Sequence, residues 1–241
     1  MRQIGPEDRS LGWSVERIRS DYDKLWECSE KGLALPEDCR MKVLHLLDVK
    51  AGEKLLDIGC GSGFLLEEAK QRGAIPFGID ISLKAIENAR KRLPGADLVS
   101  APAEELPWPN AHFDCIANVG SLEHFIDPAA SLRESARVLK ENGRAAFLVP
   151  NAFYLFHVMK AWLLGKGHEA GQWIERTGTR GCWSKLIEAN AFKVKAVKKY
   201  NLPYAVMPWW YRPAYHLMTV NMSWCFIFLC TKAHSPVKSP A

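Results

Sequence analysis

Residues 53–64 read EKLLDIGCGSGF, and this stretch gives the strongest indication of the fold. Leu55, Leu56 and Ile58 form a short, nearly continuous apolar run, which is typical of a strand covered on both faces in a parallel sheet. Asp57 lies at the carboxyl end of that run. The stretch therefore predicts a buried strand that presents an acid at one edge of a parallel sheet.

A glycine turn follows this strand. Gly59, Gly61 and Gly63 can adopt positive φ and let the backbone approach a ligand without a Cβ clash, and Cys60 fills the position between the first two. Residues 64–70 have helical composition, so the first amides of that helix should point toward whatever occupies the turn. The arrangement predicts a nucleotide-type site at the carboxyl ends of the strands of an α/β sheet.

The spacing of the glycines argues against two other nucleotide sites. The dinucleotide fingerprint G-x-G-x-x-G needs its third glycine at position 64, which is Phe64, and a P-loop needs a Gly-Lys-Ser/Thr that this stretch lacks. A second acid, Asp80, ends another apolar strand at residues 75–79, 23 residues after Asp57. A carboxylate at that point, about one βα unit later, can accept hydrogen bonds from both hydroxyls of a ribose.

LLDIGCGSG followed by GIDIS resembles the class I S-adenosylmethionine-dependent methyltransferases, in particular the small-molecule branch that includes the ubiquinone and menaquinone biosynthesis methyltransferases. The resemblance covers residues 41–151. It implies an α/β fold with a Rossmann-like, doubly wound sheet of seven strands, mostly parallel with the last strand antiparallel, and helices on both faces. It also implies S-adenosyl-L-methionine as the cofactor.

The length of 241 residues fits one large domain, and a second full domain is not expected. Within residues 1–241 we expect a helical cap (1–50), a cofactor-binding core (51–151), substrate-side segments with the last strands (152–233) and a flexible tail (234–241).

The family motifs also imply which residues contact the cofactor. Asp57, Gly59, Gly61 and Gly63, with Cys60 in the turn, would hold the methionine and ribose side. Asp80 would bind the ribose hydroxyls, Ile81 would cover one face of the adenine, and the backbone at Asn118 would face the methionine part. In this branch an N-terminal helix commonly caps the cofactor, so Tyr22 or Arg17 could face the site; the alternative is a helix that merely packs on the domain.

The loop expected along the adenine departs from the family pattern. Pro102 stands where an acid usually accepts a hydrogen bond from the adenine amino group, so that bond cannot be carried over. The backbone amide of Ala103 remains available for a ring nitrogen, and Glu104 could replace the missing acceptor. An exposed glutamate in a loop is, however, usually only solvated.

Glu123 and His124 are the candidates for acid-base chemistry. They follow the fourth predicted strand, at the edge where open α/β sheets bind ligands. A histidine of near-neutral pKa could take a proton from a hydroxyl or amine, or it could simply pack beside the cofactor. Some ubiquinone-type enzymes have another acid three residues before the glutamate that serves a metal; that position is Gly120 here, so we predict no metal.

Composition and charge limit the kinds of partner and the compartment that we expect. The net charge of +5 is mild and the basic residues are mostly scattered, which argues against nucleic-acid binding. Seven cysteines without a C-x-x-C pair, and no apolar signal region, predict a cytoplasmic protein. Apolar residues 152–164 and the aromatic-rich residues 202–218 could be core, could wall a pocket for a small molecule, or could rest on a membrane. The oligomeric state is not predicted.

The leading hypothesis is therefore a methyltransferase that acts at oxygen, nitrogen or carbon of a small, apolar or aromatic molecule. Two alternatives stay open on the sequence. One is a catalytically silent protein that keeps the fold and binds the ligand, and the other is a peripheral membrane enzyme that methylates a lipid or quinone.

Overall fold

The computed structural model describes residues 14–28, 35–164, 174–201 and 218–233. Most of the aromatic segment at 202–218 and the whole tail at 234–241 lie outside the described residues, so the hypotheses about them stay open.

Seven strands form one sheet in the order β3-β2-β1-β4-β5-β7-β6. Their bounds are β1 Lys54–Ile58, β2 Ile75–Asp80, β3 Asp97–Ser100, β4 Phe113–Val119, β5 Leu139–Pro150, β6 Phe192–Tyr200 and β7 Cys225–Lys232. β1 to β5 pair in parallel, whereas β7 runs antiparallel to both β5 and β6. The predicted doubly wound sheet with an antiparallel last strand is confirmed.

Seven α-helices lie in the described part of the chain: α1 Val15–Cys28, α2 Glu37–Leu46, α3 Phe64–Gln71, α4 Leu83–Arg92, α5 Pro128–Val138, α6 Leu155–Leu164 and α7 Arg180–Glu188. Their starts follow local signals. Ser82 caps α4 by accepting a hydrogen bond from the Ala85 amide, and Asp127 does the same for the Ala130 amide of α5, where Pro128 occupies the first turn.

Two hydrophobic clusters cover the two faces of the sheet. Alternation along β1 sends Leu55 to one cluster and Leu56 and Ile58 to the other. The first cluster takes side chains from α2, α3 and α4, and the second takes side chains from α5 and α7. The helices therefore lie on both faces, as predicted, and the polar ends of the strands are left at the edges of the sheet.

The strand order places the candidate site. β1 lies between β2 and β4, so the chain leaves β1 toward one side of the sheet and later returns to the other side. This is a topological switch point, where the loops at the carboxyl ends of neighbouring strands separate and leave a crevice. Asp57 pairs in register with Gly78 and Ala117, so the ends of β1, β2 and β4 meet at that crevice.

β5 begins earlier than the sequence predicts. Asn142 and Gly143 predict a turn before a strand at 144–149, but β5 already starts at Leu139. Leu139 pairs with Phe113, and the next pair joins Arg144 to Cys115, so the residues in between form an irregularity within the strand. Asn142 and Gly143 therefore form a bulge within β5 and do not interrupt the strand.

In the described residues, no helix combines the length and the apolar character that crossing a bilayer requires.

Substitution of Phe113 tests whether the hydrophobic cluster around it stabilises the fold. Phe113 is fully buried and its ring packs edge-on against those of Phe77 and Trp108. Phe113→Ala should lower the free energy of unfolding by about 3–5 kcal/mol, because it removes apolar contact and leaves a cavity. Urea unfolding followed by circular dichroism measures the change. Leu83→Ala, at a half-exposed position, is the control and should cost less than about 1 kcal/mol; equal losses would contradict the assignment of the core.

Candidate active site

A cavity of about 350 Å³ opens at the carboxyl ends of β1, β2 and β4. Five parts of the chain wall it: α1, the glycine turn after β1, the end of β2, the loop at 101–104 and the loop at 119–126. Glu175, Trp224 and Cys225 complete the far side. A concave, largely apolar site with a few polar groups at a switch point is the usual setting for a small ligand.

Close packing makes two of the glycines necessary. Gly59 has a φ of 77°, and a Cβ there would lie 2.3 Å from Ser121 Oγ. Gly61 has a φ of 52°, and a Cβ there would lie 2.7 Å from the ring of Trp26. Both positions combine left-handed backbone with no room for a side chain, so only glycine fits where the turn packs against Ser121 and Trp26.

Two acids lie at the ends of β1 and β2, Asp57 buried and Asp80 partly buried. Burial raises the pKa of Asp57 to about 8, an effect that the nearby Asp80 increases and Arg40 opposes. Burial also raises the pKa of Asp80 to about 6, against the hydrogen bonds that its carboxylate accepts from the amides of Ser82 at 2.9 Å and Gly61 at 2.8 Å. The pair makes this end of the cavity suited to ligand hydroxyls and cationic groups.

α1 covers the cavity and is tied to the end of β2. Arg19 Nε donates to the Ile81 carbonyl at 3.1 Å, and Asp23 Oδ1 accepts from Ser82 Oγ at 2.5 Å and from the Lys84 amide at 3.1 Å. These bonds bring Ile18, Tyr22 and Trp26 onto the cavity wall.

Arg40 brings a positive charge to the same wall. Its guanidinium bonds Glu68 Oε1 through Nη2 at 2.5 Å and Nε at 2.9 Å, donates to the Leu35 carbonyl, and lies 5.2 Å from the centre of the Phe64 ring. Because Glu68 and the carbonyl fix its orientation, Arg40 is a preorganised partner for an anionic ligand group.

Glu123 and His124 lie in a 3₁₀ turn after β4, and both line the cavity. His124 Nδ1 bonds the Ile174 carbonyl, and Nε2 lies 3.8 Å from Glu123 Oε1, beyond hydrogen-bond distance. Burial raises the pKa of Glu123 to about 8 and lowers the pKa of His124. At neutral pH the histidine is therefore an uncharged ring next to a carboxyl that is largely protonated. Among the described residues, no group of three potential ligands forms a metal site.

Two polar atoms at the cavity lack partners within the described chain. Ser62 Oγ and Glu123 Oε2 are both buried without a hydrogen bond. Buried polar groups are normally satisfied, so such atoms indicate a place where a ligand or water completes the site.

Most of the predicted site residues line this cavity. They are Tyr22, Asp57, Gly59, Cys60, Gly61, Asp80, Ile81, Ala103, Glu104, Glu123 and His124. Glu104 is also held in place, because its Oε1 accepts a hydrogen bond from the Asp127 amide at 3.0 Å. Their assignment to a ligand stays a prediction.

Three residues that the sequence analysis proposed for the site do not line the cavity. Gly63 is not in the lining: its φ of 81° starts α3, and a Cβ there would crowd Ala89 and Leu93 of the α4 region. Asn118 is buried below the cavity, where its Oδ1 accepts from the Leu122 amide at 2.9 Å and so closes the turn that carries His124. Arg17 is exposed, so of the two candidates in α1 only Tyr22 reaches the cavity.

Several lining residues were missed by the sequence analysis, among them Trp26, Arg40, Ser62, Glu175 and Trp224. Arg40 and Glu175 belong to segments without a recognisable motif, and tertiary packing alone brings them to the site. Trp26 did carry a signal, since it shares the apolar face of α1 with Ile18 and Tyr22.

Comparisons with known proteins agree with this geometry. A family model for a methyltransferase domain matches residues 56–147, which run from β1 into β5. The 27-O-demethylrifamycin SV methyltransferase of Amycolatopsis mediterranei is 39% identical over 167 residues, which cover 61% of each chain. A ubiquinone biosynthesis O-methyltransferase of Pseudomonas fluorescens is 34% identical over 152 residues, which cover 56% of this chain and 64% of that protein. The chain thus spans less than two thirds of the length of these relatives.

A solved structure extends the likeness to nearly the whole chain. It is the 1,6-didemethyltoxoflavin-N1-methyltransferase of Burkholderia thailandensis, with a TM-score of 0.65 at 16% identity, covering 97% of this chain and 92% of that protein. At this identity the match shows the fold alone. The family model shows a methyltransferase domain in this chain, and together with the relatives of higher identity it supports a class I S-adenosylmethionine-dependent methyltransferase that resembles the enzymes of quinone biosynthesis.

Proposed function

We propose that this chain is an enzyme that transfers a methyl group from S-adenosylmethionine to a small, apolar or aromatic molecule. One observation carries the proposal: two acids of raised pKa, the buried Asp57 and the partly buried Asp80, flank a glycine turn on the wall of a single cavity. Two of the relatives are named as a demethylrifamycin methyltransferase and a ubiquinone biosynthesis O-methyltransferase, and these names support a small-molecule acceptor.

The residues present fit the cofactor. The ligand carries ribose hydroxyls and an ammonium, which suit buried carboxylates, and a carboxylate, which suits Arg40. The turn at Gly59 and Gly61 lies on the cavity wall without side chains, packed against Ser121 and Trp26, so its backbone can approach the ligand. Ile81 and Ala103 would hold the adenine, and the unpartnered hydroxyl of Ser62 would complete its own hydrogen bonding on the ligand.

The cofactor supplies a methyl group on a positively charged sulfur. The chain would position the two molecules and exclude water from them. α1 covers the cavity with Tyr22 and Trp26, and the acceptor would be held against the donor inside it. Because the displacement is in line, holding both molecules in a water-poor site supplies much of the rate.

His124 is the residue that we propose to remove a proton from the acceptor. A carbonyl oxygen can only accept, so the bond from His124 to Ile174 places the proton of a neutral ring on Nδ1. Nε2 then carries the lone pair. Burial lowers the pKa of His124, which keeps this nitrogen unprotonated at neutral pH. Glu123, on the same wall, would hydrogen-bond the acceptor.

We further propose a single domain in the cytoplasm. One sheet takes strands from both halves of the chain, which supports the single unit. All seven cysteines are free and five of them are buried, which suits a reducing compartment.

A second proposal, contact with a membrane surface, has one observation in its favour. α6 and the turn before it expose Phe153, Val158, Trp162 and Leu163, with 83% of Trp162 accessible. Tryptophan favours the lipid interface, and the net charge of +5 would favour anionic headgroups.

Arg40→Gln should weaken binding of S-adenosylhomocysteine about 10- to 100-fold, because a charge-assisted hydrogen bond is worth about 1.5–3 kcal/mol. Binding of methylthioadenosine, which lacks the amino-acid group, should change less than about twofold. Calorimetry measures both affinities. Arg92→Gln is the control, since Arg92 stacks on the same Phe64 ring at 3.8 Å but does not line the cavity. Equal losses for both ligands would show that Arg40 only supports the fold.

Transfer of label separates an enzyme from a silent binding protein. We expect the chain, incubated with methyl-labelled cofactor and the small-molecule fraction of a cell extract, to move label into a product. The Asp80→Asn variant should transfer at least about tenfold less, because it weakens the ribose contact. A protein that binds the cofactor but moves no label into any fraction would contradict the proposed activity.

Vesicle sedimentation tests the membrane contact. With phosphatidylcholine–phosphatidylglycerol vesicles, the protein should co-sediment, and Trp162→Glu should reduce partitioning about tenfold because burying a large apolar side chain contributes about 1.5–3 kcal/mol. Leu83→Glu changes an exposed apolar residue on α4 and is the control. The membrane proposal fails if the protein stays in the supernatant, or if both variants behave alike.

A further inference from the structure

Arg176 binds the backbone of the loop that carries His124. Its Nη1 donates to the carbonyls of Glu123 at 3.2 Å and Phe125 at 2.6 Å, and its Nη2 donates to that of Ile126 at 3.2 Å. Its own amide also donates to the Glu123 carbonyl, at 3.2 Å. Four hydrogen bonds from one residue therefore fix a four-residue segment.

A second contact from the same segment holds the histidine ring. Two residues before Arg176, the carbonyl of Ile174 accepts the hydrogen bond of His124 Nδ1. Residues 174–176, which we call the clamp, thus grip both the backbone around His124 and its side chain. The residue between them, Glu175, lines the cavity, whereas Ile174 and Arg176 lie behind its wall.

The setting of Arg176 is unusual for a residue that only supports the fold. Burial lowers the pKa of its guanidinium, while Asp127 and Glu104 act in the opposite direction. In the part of the chain that the structure describes, the guanidinium donates to the carbonyls of Glu123, Phe125 and Ile126, while Asp127 and Glu104 lie near enough to act on its charge. A partly buried cation whose directed hydrogen bonds all go to one loop indicates that the position of that loop matters.

We propose that Arg176 is a positioning residue: through the clamp it holds His124 in the Nδ1–H tautomer, with the lone pair of Nε2 available to the acceptor. This inference rests on the proposed function and adds to it a residue from the third of the chain that carries no family motif. Arg176 would touch neither cofactor nor acceptor.

Three charged or titratable groups face His124. Glu123 lies beside it on the 3₁₀ turn, while Glu175 and Arg176 approach from the clamp. Burial is the largest cause of the lowered pKa of His124, and Arg176 lowers it further, whereas the Ile174 carbonyl and Glu175 raise it. Loss of Arg176 removes a positive neighbour and opens the wall to water, so the pKa of His124 should rise toward its ordinary value.

The test is a titration of the histidine side chains by NMR on ¹⁵N-labelled protein saturated with S-adenosylhomocysteine, with His124 assigned from the His124→Gln spectrum. In the wild type, His124 should show the Nδ1–H tautomer. In Arg176→Met, the ratio of the two tautomers should change about fivefold or more, the effect expected for loss of one hydrogen bond. The pKa of His124 should rise in the same variant, and Arg176→Lys, which keeps the charge with fewer directed bonds, should fall between the two.

Arg137→Met is the matched control. Arg137 also donates to backbone carbonyls, those of Trp108 at 2.8 Å and Leu106 at 2.9 Å, but it lies away from the cavity. It should leave the His124 signals unchanged. The Nε2–H tautomer in the wild type would overturn the proposal without any variant, and so would unchanged His124 signals in a folded Arg176→Met protein.

Calorimetry with S-adenosylhomocysteine on the same proteins keeps the two proposals apart. Loss of the clamp should change the affinity less than about threefold, because Arg176 does not line the cavity. A wild type that does not bind S-adenosylhomocysteine would refute the proposed function, whereas one that binds it and shows the wrong tautomer would refute the clamp alone.

Discussion

Two carboxylic acids at the ends of β1 and β2, one buried and one partly buried, are the constraint on which the rest of this structure depends. Burial raises the pKa of Asp57 to about 8 and that of Asp80 to about 6, so at neutral pH Asp57 is largely protonated, whereas Asp80 is largely ionised and accepts hydrogen bonds from the amides of Gly61 and Ser82. The parallel register of the two strands puts both acids at one edge of the sheet. The turn between β1 and α3 passes between these acids, and Gly59 and Gly61 fit there because a Cβ would collide with Ser121 and with Trp26.

The rest of the cavity is assembled from distant parts of the chain. Arg19 and Asp23 bond α1 to the end of β2, and these contacts hold α1 over the glycine turn. On the opposite side, residues 174–176 hold the loop after β4. A ligand of fixed chemistry would occupy the half near the acids, whereas the half near His124 is walled by residues outside the matched family region, such as Glu175 and Trp224. Acceptor choice would therefore depend on that second half.

Local signals predicted the fold well, and long-range contacts explain what they missed. Strand β1, the glycine turn and Asp80 could be recognised because their function depends on spacing along the chain. The start of α4 is likewise marked by a local signal, the cap residue Ser82. The early start of β5 depends on pairing with Phe113, which the turn signal at Asn142 conceals. Tertiary packing alone brings Arg40 and Glu175 to the site and Arg176 to the loop behind it. Gly63 and Asn118 were assigned to the cofactor by motif; neither lines the cavity, since one starts α3 and the side chain of the other closes the 3₁₀ turn, and their contact with a ligand stays a prediction.

We propose that the acids and the turn recognise an adenosyl sulfonium compound and not a phosphorylated nucleotide. Calorimetry on the purified wild-type chain decides between the two, with S-adenosylhomocysteine, NAD and ATP titrated under identical conditions. We expect saturable, one-to-one binding of S-adenosylhomocysteine and no measurable binding of the other two, because the acids at the cavity oppose phosphate groups. Binding of NAD or ATP without binding of S-adenosylhomocysteine would contradict it.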